Sequence, residues 1–218
     1  MNKIWKGSGR IVVVMLMLLL GSFATPAFAD ITAGKEYAVL DPAQPVAGGD
    51  KIEVIEFFYY GCPYCYDALP HILKWKTTLP ADVHYRMVPV VRPDKWAPLA
   101  RTYYTLEAMD MLKLHHHVFD SLFMDNLSLS DEKEMFNWAE RNHMDRQKFI
   151  EIYKSPETEA KVIKAREMTE AYGITRTPSF VVDGKYLTTS SQAGSLDLLL
   201  PTVDKLIAKA RNEHAARK

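Results

Sequence analysis

The residues with the clearest chemistry are the two cysteines of the chain, Cys62 and Cys65, which enclose Pro63 and Tyr64 in a Cys-Pro-Tyr-Cys sequence. Two thiols at this spacing can close into a small disulfide ring. A thiolate at the start of a helix is stabilised by the backbone N–H groups and by the helix dipole. Because a bridge that encloses two residues adds little loop-closure entropy, the pattern predicts a reversible redox disulfide rather than a structural one.

Metal binding is the alternative for these cysteines. A structural zinc site normally needs four ligands, and the chain has no second cysteine pair. His115, His116 and His117 resemble a metal tract, but consecutive helical residues point about 100° apart and cannot share one ion. We therefore expect no bound metal and place the three histidines on a surface or partly packed helix face.

The first 29 residues have the pattern of an export signal. Three basic residues precede an apolar run over 11–20, and a segment of small residues ends in Ala-Phe-Ala at Ala29. This pattern predicts a secretory signal peptide over 1–29 that is cleaved after Ala29. The run is shorter than the roughly 20 residues that span a bilayer, so a retained anchor is the less favoured alternative. Export predicts an oxidising compartment, in bacteria the periplasm.

Charge and length narrow the function classes. Without residues 1–29 the chain keeps 24 of its 27 Lys and Arg residues and all 27 Asp and Glu residues, so its net charge is −3 with His neutral. This balance favours neither nucleic acid nor an anionic membrane surface as a partner. The remaining length suits one domain with an insertion, or two small domains. A chain of this length can bury a hydrophobic core without structural disulfide bonds or metals.

Strands are predicted on both sides of the cysteine motif. Residues 37–40 form a short strand, and 52–59 alternate at first and then become apolar throughout. The second pattern is typical of a central strand covered on both faces. The next strand is predicted at 83–91.

A helix is predicted to begin at Cys62. Cys65, Leu69, Ile72 and Leu73 recur at helical spacing and indicate its buried face. Pro70 lies inside this helix, where it removes a backbone hydrogen bond and is expected to produce a kink.

Residues 95–172 have no strand pattern. Asp131 and Asp145 are expected to lie at helix starts, and Gly173 just after a helix end. Helices are predicted near 96–113, 115–124, 131–142, 145–153 and 157–172. Then come a strand at 179–182, a turn at Asp183-Gly184, a strand at 185–188 and a helix over about 195–211. The order predicts an α/β domain, residues 30–94 and 173–218, interrupted by an all-helical insertion over 95–172.

A Cys-x-x-Cys beside such a strand–helix–strand unit is typical of thioredoxin-like redox proteins. The resemblance extends to separate positions. Glu56 lies six residues before Cys62, where the thioredoxin superfamily often keeps a buried acid, and Pro70 matches the kink proline of the superfamily. Thr177-Pro178, shortly before the turn, resembles the cis-proline loop of that superfamily. The chain thus resembles a thioredoxin-like fold with a central mixed sheet.

One family within the superfamily matches further. The insertion places 112 residues between Cys65 and Pro178, many more than in thioredoxin itself. Together with the signal peptide and the Glu-Phe-Phe strand before the motif, this resembles the DsbA family of periplasmic thiol:disulfide oxidoreductases. The resemblance covers essentially all of residues 30–218.

The resemblance implies an activity and partners. Cys62 would exchange with substrate thiols, and Cys65 would be its buried partner. A monomer would oxidise cysteine pairs of reduced exported proteins by donating its disulfide, with no other cofactor. A DsbB-like, quinone-linked membrane oxidase would then reoxidise it.

The resemblance also implies roles for residues around the cysteines. Glu56, Pro63 and Tyr64 would tune the redox properties, while Thr177 and a cis Pro178 would bind an extended substrate. Tyr64 departs from the family, which usually has His there. A Tyr hydroxyl supplies no positive charge to a neighbouring thiolate, so the redox potential stays open.

Two other function classes remain. A reductase or isomerase would use the same cysteines, but a dimeric isomerase carries an N-terminal dimerisation domain, and only a short lead from Asp30 precedes the first strand. A non-catalytic chaperone or binding module on the same fold would keep its activity after loss of Cys62.

Overall fold

A five-stranded mixed sheet is the centre of the fold, which a computed structural model describes for residues 30–217. The predicted signal peptide lies outside the described residues. The strands are β1 (Ala38–Val39), β2 (Ile52–Phe58), β3 (Val83–Pro89), β4 (Ser179–Val182) and β5 (Tyr186–Thr189). Their order in the sheet is β1-β5-β4-β2-β3, with β2 parallel to β3 and antiparallel to β4.

Helix α1 (Pro63–Lys76) connects β2 to β3, and the segment between β3 and β4 is helical, as predicted. This segment contains α2 (Ala97–Ala108), α3 (His115–Phe123), α4 (Glu132–Arg141), α5 (Arg146–Tyr153) and α6 (Pro156–Ala171). After the sheet come α7 (Ser190–Ala193), which was not predicted, and α8 (Leu196–Ala216). Within residues 30–217, no helix has both the length and the apolar character needed to cross a membrane.

Strand β2 is buried along its whole length, which confirms the prediction of a central strand covered on both faces. Side chains alternate between the two faces of a strand. Ile55 and Phe57 therefore pack with α6 on one face, while Val54 packs with α1 and α8 on the other.

Helix α1 buries a face that differs slightly from the predicted one. Cys65 and Leu69 are buried as expected, but Leu73 is 45% exposed, so that prediction was wrong. The buried face also includes Ala68 and Trp75. At 3.6 residues per turn, Leu73 lies roughly 100° from the centre of this face.

The starts of the helices in the insertion follow local signals. The side chain of Asp131 accepts a hydrogen bond from the backbone N–H of Glu134, and Asp145 does the same for Lys148. These bonds satisfy N–H groups that have no partner within the helix. The predicted helix over 96–113 was too long: α2 ends at Ala108, and Asp110 has a left-handed φ of 55°.

The β4–β5 turn requires its glycine. Asp183 and Gly184 have φ values of 53° and 63°, as in the tight hairpin turns that suit the twist of the flanking strands. A Cβ atom on Gly184 would lie 2.1 Å from the carbonyl oxygen of Gln44. The predicted turn is thus confirmed, and it leaves no room for a side chain at position 184.

Candidate active site

Cys62 lies at the junction between the sheet and α1. It is the N-cap residue of the helix, and Pro63 occupies the first helical turn. Its carbonyl oxygen accepts hydrogen bonds from the backbone N–H groups of Cys65 and Tyr66, at 3.1 and 3.2 Å. Both cysteines are free thiols, with Cys62 partly exposed and Cys65 buried. The motif therefore presents one thiol to solvent and keeps the other in the core.

The loop before β4 lies against the first thiol. The Thr177-Pro178 peptide bond is cis, as predicted, and Cys62 Sγ donates a hydrogen bond to the Thr177 carbonyl oxygen at 3.3 Å. The sheet explains this proximity, because the antiparallel register pairs Phe57 near the end of β2 with Ser179 at the start of β4. The predicted placement of Pro178 beside the cysteine motif is confirmed.

The pKa values of the two thiols are shifted in opposite directions. The pKa of Cys62 is lowered from 9.0 to about 6, first by a hydrogen bond with Cys65, then by Thr177 and by backbone N–H groups of Cys65 and Tyr64, against the opposing effect of burial. The pKa of Cys65 is raised well above 9.0 by burial and by its proximity to Cys62. At neutral pH the exposed sulfur is therefore a thiolate and the buried one a thiol.

The Tyr64 side chain and the Pro63 backbone add neither a positive charge nor an N–H group beside Cys62. Tyr64 is 66% exposed and carries no positive charge. Pro63 has no backbone N–H, so the helix-start donors come from later residues. The lowered pKa of Cys62 thus rests on hydrogen bonds rather than on a cation.

Glu56, on β2, is buried, as the resemblance to the superfamily implied. It is 4% exposed, and Tyr85 Oη donates a hydrogen bond to its carboxyl group. Burial raises the pKa of Glu56 from 4.5 to about 7, while the Tyr85 bond and the charge of Lys76 oppose this rise. The strand that leads to the cysteine motif therefore has a buried carboxyl group that changes protonation near neutral pH.

His115 differs from the sequence expectation. His116 is exposed and His117 partly exposed, but His115 is buried, and its Nδ1 atom lies 2.8 Å from Tyr60 Oη. Burial lowers the pKa of His115 to about 3, so the ring is neutral. Its aromatic neighbours Phe58 and Tyr60, which are distant in sequence, explain why the prediction was wrong. Among the described residues, no three His, Cys, Asp or Glu side chains are grouped to hold a metal.

A cavity of about 590 Å³ opens beside Cys62. One wall is aromatic: the rings of Tyr59 and Trp96 stack with centroids 3.9 Å apart and an interplanar angle of 11°. A Cβ atom on Gly61 would lie 2.6 Å from the Tyr59 ring, so glycine there allows the ring to lie under the loop. The sequence analysis did not identify Trp96 or Arg176, which also lines this cavity.

The sheet, the Cys-x-x-Cys at a helix start and the adjacent cis-proline loop define a redox protein of the thioredoxin class. The family described as "DSBA-like thioredoxin domain" matches residues 81–202. The chain belongs to this family, and its fold is the thioredoxin-like DsbA fold with a helical insertion.

Similar proteins support this assignment over most of the chain. The thiol:disulfide interchange protein DsbA of Pseudomonas aeruginosa is 36% identical over 205 residues, which covers 93% of this chain and 97% of that protein. The DsbA of Azotobacter vinelandii is 36% identical over 185 residues, 84% of this chain and 86% of that protein. The crystal structure of P. aeruginosa DsbA has a TM-score of 0.82 at 36% identity, covering 86% of this chain and 97% of that one. NmDsbA1 from Neisseria meningitidis has a TM-score of 0.76 at 29% identity, covering 86% and 97%.

Proposed function

We propose that Cys62 and Cys65 carry the reaction of this thiol:disulfide oxidoreductase, and that it oxidises cysteine pairs of exported proteins by donating their disulfide. The observation that supports this most is the contrast between a partly exposed Cys62 with a pKa of about 6 and a buried Cys65 with a raised pKa. A stabilised thiolate favours the reduced form of the protein, which makes the disulfide form an oxidant.

The reaction consists of two exchanges. A substrate thiolate attacks Cys62 Sγ in the disulfide form, so a substrate–Cys62 bond forms, the Cys62–Cys65 bond breaks and Cys65 takes up a proton. A second substrate thiolate then attacks the substrate sulfur of the mixed disulfide, and Cys62 leaves as a thiolate. The substrate loses two electrons and gains a disulfide, while the two enzyme sulfurs are reduced. These steps use no external cofactor.

Thr177 and Pro178 are proposed to hold the substrate backbone. When Cys62 is a protonated thiol, the Thr177 carbonyl oxygen accepts a hydrogen bond from its Sγ. Neither the thiolate nor the disulfide form has this donor, so the carbonyl is then available to an N–H group of an extended substrate. Pro178 has no N–H of its own, so the carbonyl of Thr177 is the group that pairs.

Three further residues are proposed to tune the sulfurs. Glu56, with its pKa near 7, would accept or supply protons beneath the disulfide as Cys65 changes state. Pro63 and Tyr64 would set which backbone donors reach Cys62 and whether a charge lies beside it.

Export, domain limits and partners belong to the same proposal. The chain would be cleaved after Ala29 and act in the periplasm as a monomer, with a DsbB-like, quinone-linked membrane oxidase restoring the disulfide. The α/β domain would comprise 30–94 and 173–218, and the helical insertion 95–172. The similarity to proteins named thiol:disulfide interchange protein DsbA supports the proposal that this chain has thiol substrates and a redox partner.

Two cysteine variants test the assignment. Cys62→Ser is expected to abolish oxidation of a reduced two-cysteine peptide, and Cys65→Ala to accumulate mixed disulfides between Cys62 and the peptide. In the reduced wild type, Cys62 should be alkylated with a midpoint near pH 6, while Cys65 stays protected. Equal alkylation of both thiols would refute the assigned roles.

The alternatives have their own outcomes. A reductase or isomerase would reduce or rearrange disulfides in a scrambled substrate faster than it oxidises a reduced one. A binding module without catalysis would keep its activity in Cys62→Ser.

A further inference from the structure

We propose that Arg176 is a specificity-determining residue, which favours substrates with an acidic residue beside the reacting cysteine. This inference rests on the proposed function of Cys62. Arg176 directly precedes Thr177, whose carbonyl oxygen lies 3.3 Å from Cys62 Sγ. Any peptide whose sulfur reaches Cys62 must therefore place its neighbouring residues close to Arg176.

The cavity beside Cys62 determines what those neighbours meet. Besides the aromatic wall of Tyr59 and Trp96, the cavity has a wall rich in hydroxyl groups, formed by residues at the β5–α7 and α7–α8 connections. Its hydroxyl-bearing members are Thr189, Ser190, Ser191 and Ser195. Both walls are uncharged. They accept a peptide without selecting the sign of its charge.

Arg176 is the one Lys, Arg, Asp or Glu residue among the described residues that line this cavity. Its side chain is exposed, and within residues 30–217 it forms no ion pair. A guanidinium group without a carboxylate partner can bind an incoming carboxylate through two parallel N–H bonds. An incoming Lys or Arg would instead meet repulsion, because no acidic residue among the described residues that line the cavity balances the charge.

The backbone that carries this side chain is held in place. The carbonyl oxygen of Arg176 accepts a hydrogen bond from Ser179 Oγ at 2.7 Å, and Ser179 begins β4, which pairs with β2. The base of the side chain is thus attached to the central sheet, on the side of Cys62. Selectivity can then arise from a charge at a defined position rather than from the field of the whole protein.

Arg176 is not among the groups that lower the pKa of Cys62, which are Cys65, Thr177 and Tyr64. Loss of its charge should therefore change the choice of substrate without changing the pH profile of Cys62 alkylation. A purely redox or structural role would change that profile. This profile is the readout that separates a specificity role from the other two.

The experiment uses the oxidised full-length mature protein and two sets of reduced two-cysteine peptides. The peptides of one set differ only by Asp, Ser or Lys directly before the first cysteine, and those of the other set differ only by the same residues directly after it. The rate constant of peptide oxidation is measured for wild type, Arg176→Gln and Arg176→Glu. Neighbouring charges also change the reactivity of the peptide thiol itself. Because every variant receives the same peptides, this effect cancels when Asp-to-Lys rate ratios are compared between variants.

We expect Arg176→Gln to lower the Asp-to-Lys ratio about threefold and Arg176→Glu to lower it about tenfold, in at least one peptide set, as befits an exposed ion pair. The changes should shrink as salt is raised from about 0.05 to 0.5 M, since exposed charges are screened. Lys133→Glu, an exposed charge reversal on α4, is the matched control and should leave the ratio within about twofold.

A ratio that is unchanged in Arg176→Glu, or that changes equally in Lys133→Glu, would overturn the specificity role while leaving the oxidase function intact. A change in the alkylation profile of Cys62 in Arg176→Gln would assign the residue a redox or structural role instead. A wild type that oxidises none of the peptides would overturn both this inference and the proposed function.

Discussion

Two glutamates of the same central strand, Glu53 and Glu56, are both buried but have different partners. Glu53 is fully buried and lies 2.9 Å from Arg86 Nε, and it also accepts a hydrogen bond from the Ala47 backbone N–H. Glu56 lies against the neutral hydroxyl of Tyr85, and burial raises its pKa to about 7. Glu53 therefore has a guanidinium partner, whereas Glu56 has no ion-pair partner within residues 30–217.

The difference arises from strand register. Residues three apart on a strand point to opposite faces, so Glu53 and Glu56 face different layers. In the parallel β2–β3 pairing, Glu53 lies opposite His84 and Val54 opposite Tyr85. Arg86 therefore shares the face of Glu53, and Tyr85 shares the face of Glu56.

The comparison teaches that the energetic cost of a buried carboxyl group depends on the partners that the fold gives it. Burying a charge is costly unless a partner of opposite charge and further hydrogen bonds compensate it. Glu53 has both and holds the 44–47 segment against the sheet through Ala47. Glu56 has a hydroxyl partner only, and so its charge depends on pH. We expect the first to act in stability and the second in proton transfer.

The largest effect is expected for Arg86→Met, which leaves Glu53 buried without its partner. The free energy of unfolding should fall by about 3 kcal/mol, the lower end for a broken buried pair, since the Arg86 side chain is 28% exposed. Urea denaturation at pH 7 measures this loss. Adding Glu53→Gln to Arg86→Met should recover part of the lost stability. If Arg86→Met alone lowers the free energy of unfolding by less than about 0.5 kcal/mol, the ion pair does not compensate the buried Glu53 charge.

Glu56→Gln should change how stability depends on pH. The folded protein keeps the Glu56 proton up to about pH 7, whereas the unfolded chain loses it near 4.5, so unfolding releases a proton between these values. The contribution of Glu56 to stability is therefore present below pH 4.5 and is lost as the pH rises to 7. At pH 8 the variant should be more stable than wild type by roughly 3 kcal/mol, and near pH 4 similar to it.

Urea denaturation from pH 4 to 8 measures this difference. Glu53→Gln is the matched control, and it should lower the free energy of unfolding at pH 8, because it leaves Arg86 without its carboxylate. A wild-type pH profile that matches that of Glu56→Gln would contradict the raised pKa.

Tyr85→Phe should have a smaller effect, which raises the pKa of Glu56 further, as burial does. It removes the hydrogen bond that stabilises the Glu56 carboxylate, so the pKa of Glu56 should rise above 7, and at pH 8 the variant should be less stable than wild type by about 1 kcal/mol. The midpoint of the pH profile is the measurement. Tyr172→Phe, which loses a hydrogen bond to the Pro45 carbonyl oxygen, should leave that midpoint unchanged.

The smallest effect is expected where a charge is added at the surface. In Tyr64→His, an imidazolium at this exposed position should lower the pKa of Cys62 and make the disulfide more oxidising by about 10–20 mV, the equivalent of an exposed ion pair. Equilibration with glutathione measures the potential, and Tyr64→Phe is the uncharged control. An unchanged or more reducing potential in Tyr64→His would show that an exposed charge does not act on the thiolate.

Local patterns were enough to predict much of the fold and the two sulfurs. The fully apolar end of β2, the Asp131 and Asp145 caps and the Asp183-Gly184 turn depend on residues close in sequence, and all have the predicted form. The resemblance to the family supplied what local patterns could not, the cis bond at Pro178 and its place beside the cysteines. Both are present in the structure.

Contacts between distant segments could not be predicted in this way. Tyr60 and His115 are 55 residues apart, and a surface or partly packed helix was expected for the histidines because their neighbours in space were unknown. Trp96 and Tyr59 stack although one belongs to the helical segment and the other follows β2. A helical pattern shows which face of a helix is apolar, but not which ring will lie against it.

The sequence by itself determined the chemistry that is possible: two thiols two residues apart at a helix start, after a strand that must be buried, and a proline loop that resembles that of a redox family. The tertiary structure decided the surroundings of the two thiols and of the buried acids. It buried Cys65 while leaving Cys62 partly exposed, paired Glu53 with Arg86 and left Glu56 with a hydroxyl. The physical reason is that a pKa depends on desolvation and on the nearest charges and donors, and strand register and helix packing determine both.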